Sequence, residues 1–144
     1  LVFVTAWAPA EGESARDLRA RYGCENLMAA MRLGADRATS GFADETLEPF
    51  FYHDCPPGTA DFARRHLKPQ PVAPGSAPAP RVPETIPRHY VLCTADRIIP
   101  PEAQADLCRG WPAHRVHEMD TGHSPFFADP GRLAGILNQI AESP

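Results

Sequence analysis

The alternation of apolar and polar residues is most regular in the last third of the chain. Residues 89–94 and 114–119 predict two short strands. Between them, residues 101–109 begin with proline and are followed by Gly110, which is typical of a helix. After an Asp-Pro pair at 129–130, apolar residues recur at the spacing of one helix face: Leu133, Ile136, Leu137 and Ile140. These patterns predict the order strand, helix, strand, helix.

A third strand is predicted at the start of the chain. Residues 1–8 are apolar and begin with β-branched and aromatic side chains, as in a buried strand. Right-handed crossovers place such strands parallel in one sheet, which defines an α/β fold. Because the first residue is Leu1 rather than Met, inside this apolar run, we expect the sequence to be a piece of a longer protein.

Residues 9–69 form a mixed segment in which short helices are predicted. Ser14 can cap a helix, because an aspartate stands three residues later. A second helical stripe is carried by Leu27, Met28 and Met31. Residues 35–43 are polar and indicate a loop, whereas residues 47–52 are apolar and fit either a helix or a strand. Residues 59–67 predict a further helix.

A proline-rich connector follows this mixed segment. Seven prolines fall between Lys68 and Arg88, and such a run favours an extended chain over a helix. A stiff connector is favoured over a ligand for an SH3-type domain, because basic residues are sparse. The sequence thus divides into a core strand (1–8), a cap segment (9–69), the connector (70–88) and a C-terminal core (89–144).

Composition and charge limit the classes of function. The 144 residues include 17 prolines, are 43% hydrophobic and carry a net charge of −4. These values fit a globular domain and give no basis for a nucleic-acid or membrane-surface partner. The longest apolar stretch, residues 1–10, is too short to span a bilayer. Four cysteines contain no Cys-x-x-Cys pair and six histidines fit no common zinc pattern, so we expect a cytoplasmic protein with reduced thiols and no bound metal.

Candidate catalytic side chains follow two of the predicted strands. Asp96 comes directly after the strand at 89–94, and His123 comes after the strand at 114–119. Since the carboxyl ends of parallel strands meet at one edge of a sheet, we expect these side chains to lie close together. A carboxylate that accepts the Nδ1 proton orients an imidazole and stabilises its charged form, which makes the ring a general base.

The sequence carries further motifs in a recognisable order. They are the apolar start with the acidic turn at 11–14, Phe-Tyr-His-Asp-Cys-Pro at 51–56, Arg-His-Tyr-Val at 88–91, Thr-Ala-Asp-Arg-Ile-Ile-Pro at 94–100 and Gly-His-Ser-Pro-Phe at 122–126. With these motifs the whole chain resembles the C-terminal half of an α/β hydrolase, close to the plant-type esterase and hydroxynitrile lyase branch and its bacterial relatives. The resemblance implies the C-terminal part of a parallel hydrolase sheet, with an inserted, mainly helical cap.

The resemblance also implies roles for individual residues. Asp96 would be the acid and His123 the base of a Ser-His-Asp triad, and Trp7 would face the substrate pocket. The substrate would be a small apolar ester, and the reaction would need no cofactor. In this family the nucleophilic serine precedes the acid and the base, so it would lie about 20 residues before Leu1.

None of the serines within the chain fits the nucleophile's place on a glycine-flanked turn between a strand and a helix. The candidates are Ser14, Ser40, Ser76, Ser124 and Ser143. The sequence therefore predicts an acid and a base without their nucleophile, and we expect the 144 residues alone to be inactive.

Three alternatives stay open at this point. The resembling lyases carry a lysine directly after the histidine, where this chain has Ser124, which favours ester hydrolysis over cyanohydrin cleavage. A truncated, non-catalytic fragment that binds an apolar ligand or a protein partner is the main competitor. Residues 53–55, His-Asp-Cys, could contribute to a metal site, but a turn of the cap with Asp54 capping is favoured. A homodimer is compatible with the sequence.

Overall fold

The computed structural model describes residues 1–142 and places three parallel strands in one sheet. Strands β1 (Val2–Val4), β5 (His89–Cys93) and β6 (Val116–Met119) lie in the order β1-β5-β6. Val4 pairs with Val91 and Cys93 pairs with Met119. This arrangement confirms the predicted α/β fold with parallel strands.

Strand β5 is the centre of the molecule, because all five of its residues are buried. Alternate side chains face opposite sides of the sheet. On one side Val91 and Cys93 pack with Met119 and Leu133, and on the other Tyr90 and Leu92 pack with Cys108. Both faces of the strand are thus covered, which explains its continuous apolar run.

The helices after β5 match the sequence pattern closely. Helix α5 spans Pro101–Leu107, and the short helix α6 (Pro125–Ala128) leads into α7 (Pro130–Glu142). Helix α5 ends two residues earlier than the helix predicted at 101–109. The first two residues of the strand predicted at 114–119 belong instead to a 3-10 turn, Ala113–Arg115. Asp129 Oδ1 accepts the backbone N–H of Arg132 at 3.0 Å and so caps the start of α7.

The segment between β1 and β5 begins with two short helices, α1 (Ala15–Tyr22) and α2 (Glu25–Ala30). At the start of α1, Asp17 N–H donates to Ser14 Oγ and Ser14 N–H donates to the Asp17 carboxylate, which confirms the predicted capping box. Helix α1 ends at a residue in the left-handed region, Gly23, with φ of 62°.

A small antiparallel sheet occupies part of the cap segment. Strands β2 (Met31–Leu33), β3 (Thr39–Phe42) and β4 (Gln70–Pro71) lie in the order β2-β3-β4. The prediction of a loop at 35–43 is therefore wrong for its second half. The turn is fixed by Asp36, whose Oδ1 accepts the N–H groups of Ala38 and Thr39. Three- and four-residue strands are too short to show an alternating pattern.

The remaining cap residues form helices. A short helix α3 (Asp44–Thr46) continues into a π-helical turn, Leu47–Phe51, with Leu47 and Phe51 buried. The ambiguous residues 47–52 are therefore mostly helical. Helix α4 spans Thr59–His66, which confirms the helix predicted at 59–67 to within one residue.

The connector folds back against the cap. Backbone hydrogen bonds join Ala79 to both Gly12 and Glu13, at 3.0 and 2.7 Å. A 3-10 turn, Ala73–Ser76, lies beside α1, and β4 at the start of the connector pairs with β3. Its proline-rich sequence thus contributes a wall of the cap.

None of the helices within residues 1–142 combines the length and the apolar character that a membrane crossing needs.

Candidate active site

The loops after β5 and β6 bring two predicted catalytic side chains together. Asp96 follows β5 and His123 follows β6, and Asp96 Oδ2 lies 2.9 Å from His123 Nδ1. The Asp96 side chain is fully buried, whereas that of His123 is 22% exposed. An acid is therefore shielded from solvent behind an imidazole that reaches the surface of a cavity.

Four donors hold the Asp96 carboxylate in one orientation. Oδ1 accepts the N–H groups of Ile98 and Ile99 at 2.7 and 3.1 Å. Oδ2 accepts His123 Nδ1 and the side-chain amide of Gln104, the latter at 3.0 Å. With its proton on Nδ1, the imidazole donates to Asp96, and its Nε2 carries the lone pair that a general base needs.

Gln104 is a site residue that the sequence analysis missed. It is fully buried on α5, donates to Asp96 and to the Ile99 carbonyl, and accepts the Cys93 N–H at 3.1 Å. Gln104 thus ties the end of β5 to the loop that carries the acid. The sequence offered one indication of this role. Gln104 is an uncharged polar residue one helical turn before Cys108, so it lies on the same face of the predicted helix as a residue that packs on the sheet.

The loop of His123 is held from the end of β1. Thr5 Oγ1 donates to the His123 carbonyl at 3.1 Å, and Thr5 N–H donates to the Val91 carbonyl at 3.2 Å. Thr5 has a positive φ of 43°, which is costly for a β-branched residue. These two hydrogen bonds maintain that conformation and fix the backbone of the base.

The cap holds the same loop from the other side. Asp54 Oδ2 accepts the Gly122 N–H at 2.5 Å, and the Cys55 thiol lies 3.8 Å from the Ser124 carbonyl. Asp54 therefore positions the loop of the base, a role that differs from the turn cap favoured by the sequence. Within residues 1–142, no three His, Cys, Asp or Glu side chains are grouped as metal ligands.

Gly122 is required by this close approach. A Cβ at this position would lie 2.6 Å from His53 Cε1 and 2.7 Å from Asp54 Oδ1. We expect Gly122→Ala to push the His123 loop from the cap, to lower kcat for ester hydrolysis at least tenfold and to destabilise the fold by about 1–3 kcal/mol. Steady-state kinetics and urea unfolding measure both effects.

The same substitution at Gly135 is the matched control. A Cβ there meets no atom within 4 Å, and the residue lies in α7. Because alanine is favoured over glycine inside a helix, Gly135→Ala is expected to be neutral or to stabilise by up to about 1 kcal/mol. Equal effects of the two substitutions would contradict a special role for Gly122.

His123 and Trp7 line a cavity of about 440 Å³ between the sheet edge and the cap. The Phe51 ring meets the His123 imidazole edge-on at 5.6 Å, and Trp7 stacks on Tyr22 at 6.3 Å. Other apolar residues of the lining include Ala6, Leu27, Met31, Phe42, Ile98 and Ile99. Of the aromatic run at 50–52, Phe51 lines this cavity.

The described serines and cysteines lack the setting of a nucleophile. Among residues 1–142, no serine between a strand of the parallel sheet and a helix has a glycine two positions away on both sides, because Ser14 and Ser124 have one only before them. Ser143 lies outside the described residues. Ser124 is buried at the start of α6. Burial and the neighbouring Asp54 raise the pKa of Cys55 to about 11, so this thiol stays protonated near neutral pH.

A parallel sheet with an acid and an imidazole on loops at one edge, and with a segment inserted after its first strand, is typical of α/β hydrolases. The model of the alpha/beta hydrolase family matches residues 2–136, and the chain belongs to this family.

Curated relatives include plant esterases. The chain is 42% identical over 60 residues to Methylesterase 17 of Arabidopsis thaliana, covering 42% of this chain and 22% of that protein. It is 37% identical over 98 residues to Methylesterase 18 of the same plant, covering 65% of this chain and 37% of that protein. The chain thus spans less than two fifths of these relatives' length.

The structure of a pyrethroid hydrolase from Sphingobium faniae JZ-2 matches with a TM-score of 0.87 and 21% identity, over all of this chain and 61% of that one. At this identity the match shows the fold.

Proposed function

We propose that the protein is a serine hydrolase, a carboxylesterase that acts on small apolar esters. In this proposal Asp96 is the acid and His123 the base of a Ser-His-Asp triad, and the serine comes from chain outside these 144 residues. The observation that carries the proposal is the 2.9 Å contact between the buried Asp96 carboxylate and His123 Nδ1. The esterase relatives support the reaction class.

The chemistry follows from the orientation of the imidazole. His123 Nε2 takes the proton of the serine hydroxyl as the serine oxygen attacks the ester carbonyl, and Asp96 stabilises the imidazolium that forms. The imidazolium then protonates the leaving alcohol, which leaves an acyl-enzyme. Water attacks this acyl group by the same route in reverse: His123 accepts a proton from the water and returns it to the serine. No step calls for a cofactor.

The cavity supports a small apolar substrate. Its volume of about 440 Å³ accommodates a compact ester, and its lining is mostly aliphatic and aromatic. Trp7 is proposed to contact the substrate, because it lines the cavity together with His123. The cap segment is proposed to exclude water from the reacting groups.

The test uses the protein expressed from its complete reading frame, called the complete protein below. We expect it to hydrolyse p-nitrophenyl acetate and to be labelled by a fluorophosphonate, with the label mapped by mass spectrometry to a serine outside these 144 residues. The 144 residues alone are expected to stay unlabelled.

Other results would point elsewhere. A label on Ser40 or Ser124 would contradict an external nucleophile. Cyanide release from a cyanohydrin without ester hydrolysis would indicate a lyase. If the folded complete protein showed neither labelling nor turnover, the esterase proposal would be refuted and a non-catalytic binding protein would be the remaining interpretation.

A further inference from the structure

We infer that Arg19 binds a carboxylate of the substrate, so that the preferred esters are half-esters of short dicarboxylic acids. In this arrangement the ester group faces His123 and the free carboxylate faces Arg19. The inference rests on the proposed esterase function and modifies its substrate class: the ester stays small and mostly apolar but carries one free carboxylate at the end away from the reacting group.

Arg19 is the one permanently charged side chain that lines the cavity of His123 among residues 1–142. No aspartate or glutamate of the described chain contributes to this lining, and the Asp96 carboxylate is buried behind the imidazole. The cavity is therefore a mainly apolar, partly open pocket with a single fixed positive charge. Such a charge attracts an anion more strongly there than in water, because the surroundings screen it less.

The guanidinium of Arg19 is poorly satisfied by the protein. Its Nη1 lies 3.6 Å from the Met31 thioether sulfur, a weak acceptor. None of the carboxylates in residues 1–142 lies within 4.0 Å of it, whereas Arg21 on the same helix pairs with Glu13. Five N–H donors on a half-buried group thus lack a strong acceptor, and a ligand anion would supply one.

The shape of the donor set favours a carboxylate. A guanidinium presents its N–H groups as a planar fork that matches the two oxygens of a carboxylate. Ser40, buried on β3, lines the same cavity, and its hydroxyl offers a further donor. Both groups belong to the cap segment, whereas Thr5 and His123 lie on the loops that follow β1 and β6, so the cavity has polar groups on each side.

The test compares two esters that differ in one charge. Monomethyl glutarate carries a free carboxylate, and dimethyl glutarate replaces it with a second neutral ester. In the complete protein, we expect Arg19→Gln to lower kcat/KM for the monomethyl ester about tenfold more than for the dimethyl ester, mainly through a higher KM. A tenfold change corresponds to about 1.4 kcal/mol of lost binding.

A matched control removes an equivalent charge from the same helix. Arg16 is exposed and lies one turn before Arg19 on α1. Arg16→Gln is therefore expected to leave unchanged the ratio of kcat/KM for the monomethyl ester to kcat/KM for the dimethyl ester. Arg19→Lys keeps the charge without the fork and is expected to recover part of the preference. Monomethyl succinate and monomethyl adipate extend the series and define the length that best spans the cavity.

The outcomes separate this inference from the esterase proposal. If folded Arg19→Gln hydrolyses dimethyl glutarate and the ratio of kcat/KM for the two esters is unchanged, the role of Arg19 is refuted. The esterase proposal is not affected by that result. Failure of the complete protein to hydrolyse either ester would refute the esterase on these substrates. In that case calorimetric titration with glutarate decides the matter: binding that weakens about tenfold in Arg19→Gln supports the anion site, and equal or absent binding overturns it.

Discussion

Replacing His123 with alanine is expected to lower kcat for ester hydrolysis by about 10⁴-fold or more in the complete protein. The imidazole is the group proposed to accept the proton of the attacking serine and to return it to the leaving alcohol. Alanine removes both transfers and leaves the Gln104 amide as the remaining donor to Asp96 Oδ2. The measurement is steady-state hydrolysis of p-nitrophenyl acetate, with the thermal midpoint as a check of folding.

A second histidine provides the control. His114 is exposed in the 3-10 turn before β6, so His114→Ala removes an imidazole from the same part of the chain without touching the site. We expect it to retain kcat within about twofold, as is usual for a surface substitution. Turnover by a folded His123→Ala protein at a rate close to the parent's would remove His123 from the proposed mechanism.

The juxtaposition of Asp96 and His123 could be predicted because it depends on topology. Each residue follows a short strand, and a helix lies between the strands, so a right-handed crossover brings both loops to one edge. The apolar pattern of the two strands and of the helix between them is enough for that inference. The structure places these side chains in contact, while their roles remain predictions.

The contacts that hold the pair could not be predicted from local patterns. Asp54 and Gly122 are 68 residues apart, and nothing in either segment indicates the other as its partner. Gln104 reaches Asp96 and Cys93 only because α5 packs across the end of β5. Such hydrogen bonds depend on how elements pack, whereas sequence patterns report on one element at a time.

The conformation of the connector could be predicted from its sequence, but its position in the fold could not. Its prolines indicate an extended chain, and the connector's ordered elements are a two-residue strand and one 3-10 turn. Composition does not determine which surface such a chain covers. The backbone hydrogen bonds of Ala79 to the residues before α1 place the connector on the cap, where Val72 and Gly75 line the cavity. A segment expected to act as a spacer thus shapes the candidate site.

A second large loss is expected for Asp96→Asn, about 10⁴-fold in kcat. The asparagine has nearly the same shape, but one carboxylate oxygen becomes an NH₂ group. If that group faces Oδ2's partners, it meets two donors, His123 Nδ1 and the Gln104 amide. If it faces Oδ1's partners, it meets the N–H groups of Ile98 and Ile99. Either orientation opposes donors to donors in a buried site, at a cost of about 1–3 kcal/mol in stability.

The expected loss of activity comes from the tautomer. With the asparagine NH₂ toward the ring, Nδ1 becomes the acceptor and the proton moves to Nε2, which then cannot take the serine's proton. Nitrogen-15 chemical shifts of His123 report the tautomer directly, beside kcat and urea unfolding. Asp120→Asn is the control, because Asp120 is exposed and accepts only the Thr94 hydroxyl among the described residues, a bond that an asparagine oxygen keeps. A folded Asp96→Asn protein with kcat within tenfold of the parent would show that the acid neither selects the tautomer nor stabilises the imidazolium, even if His123 proved essential.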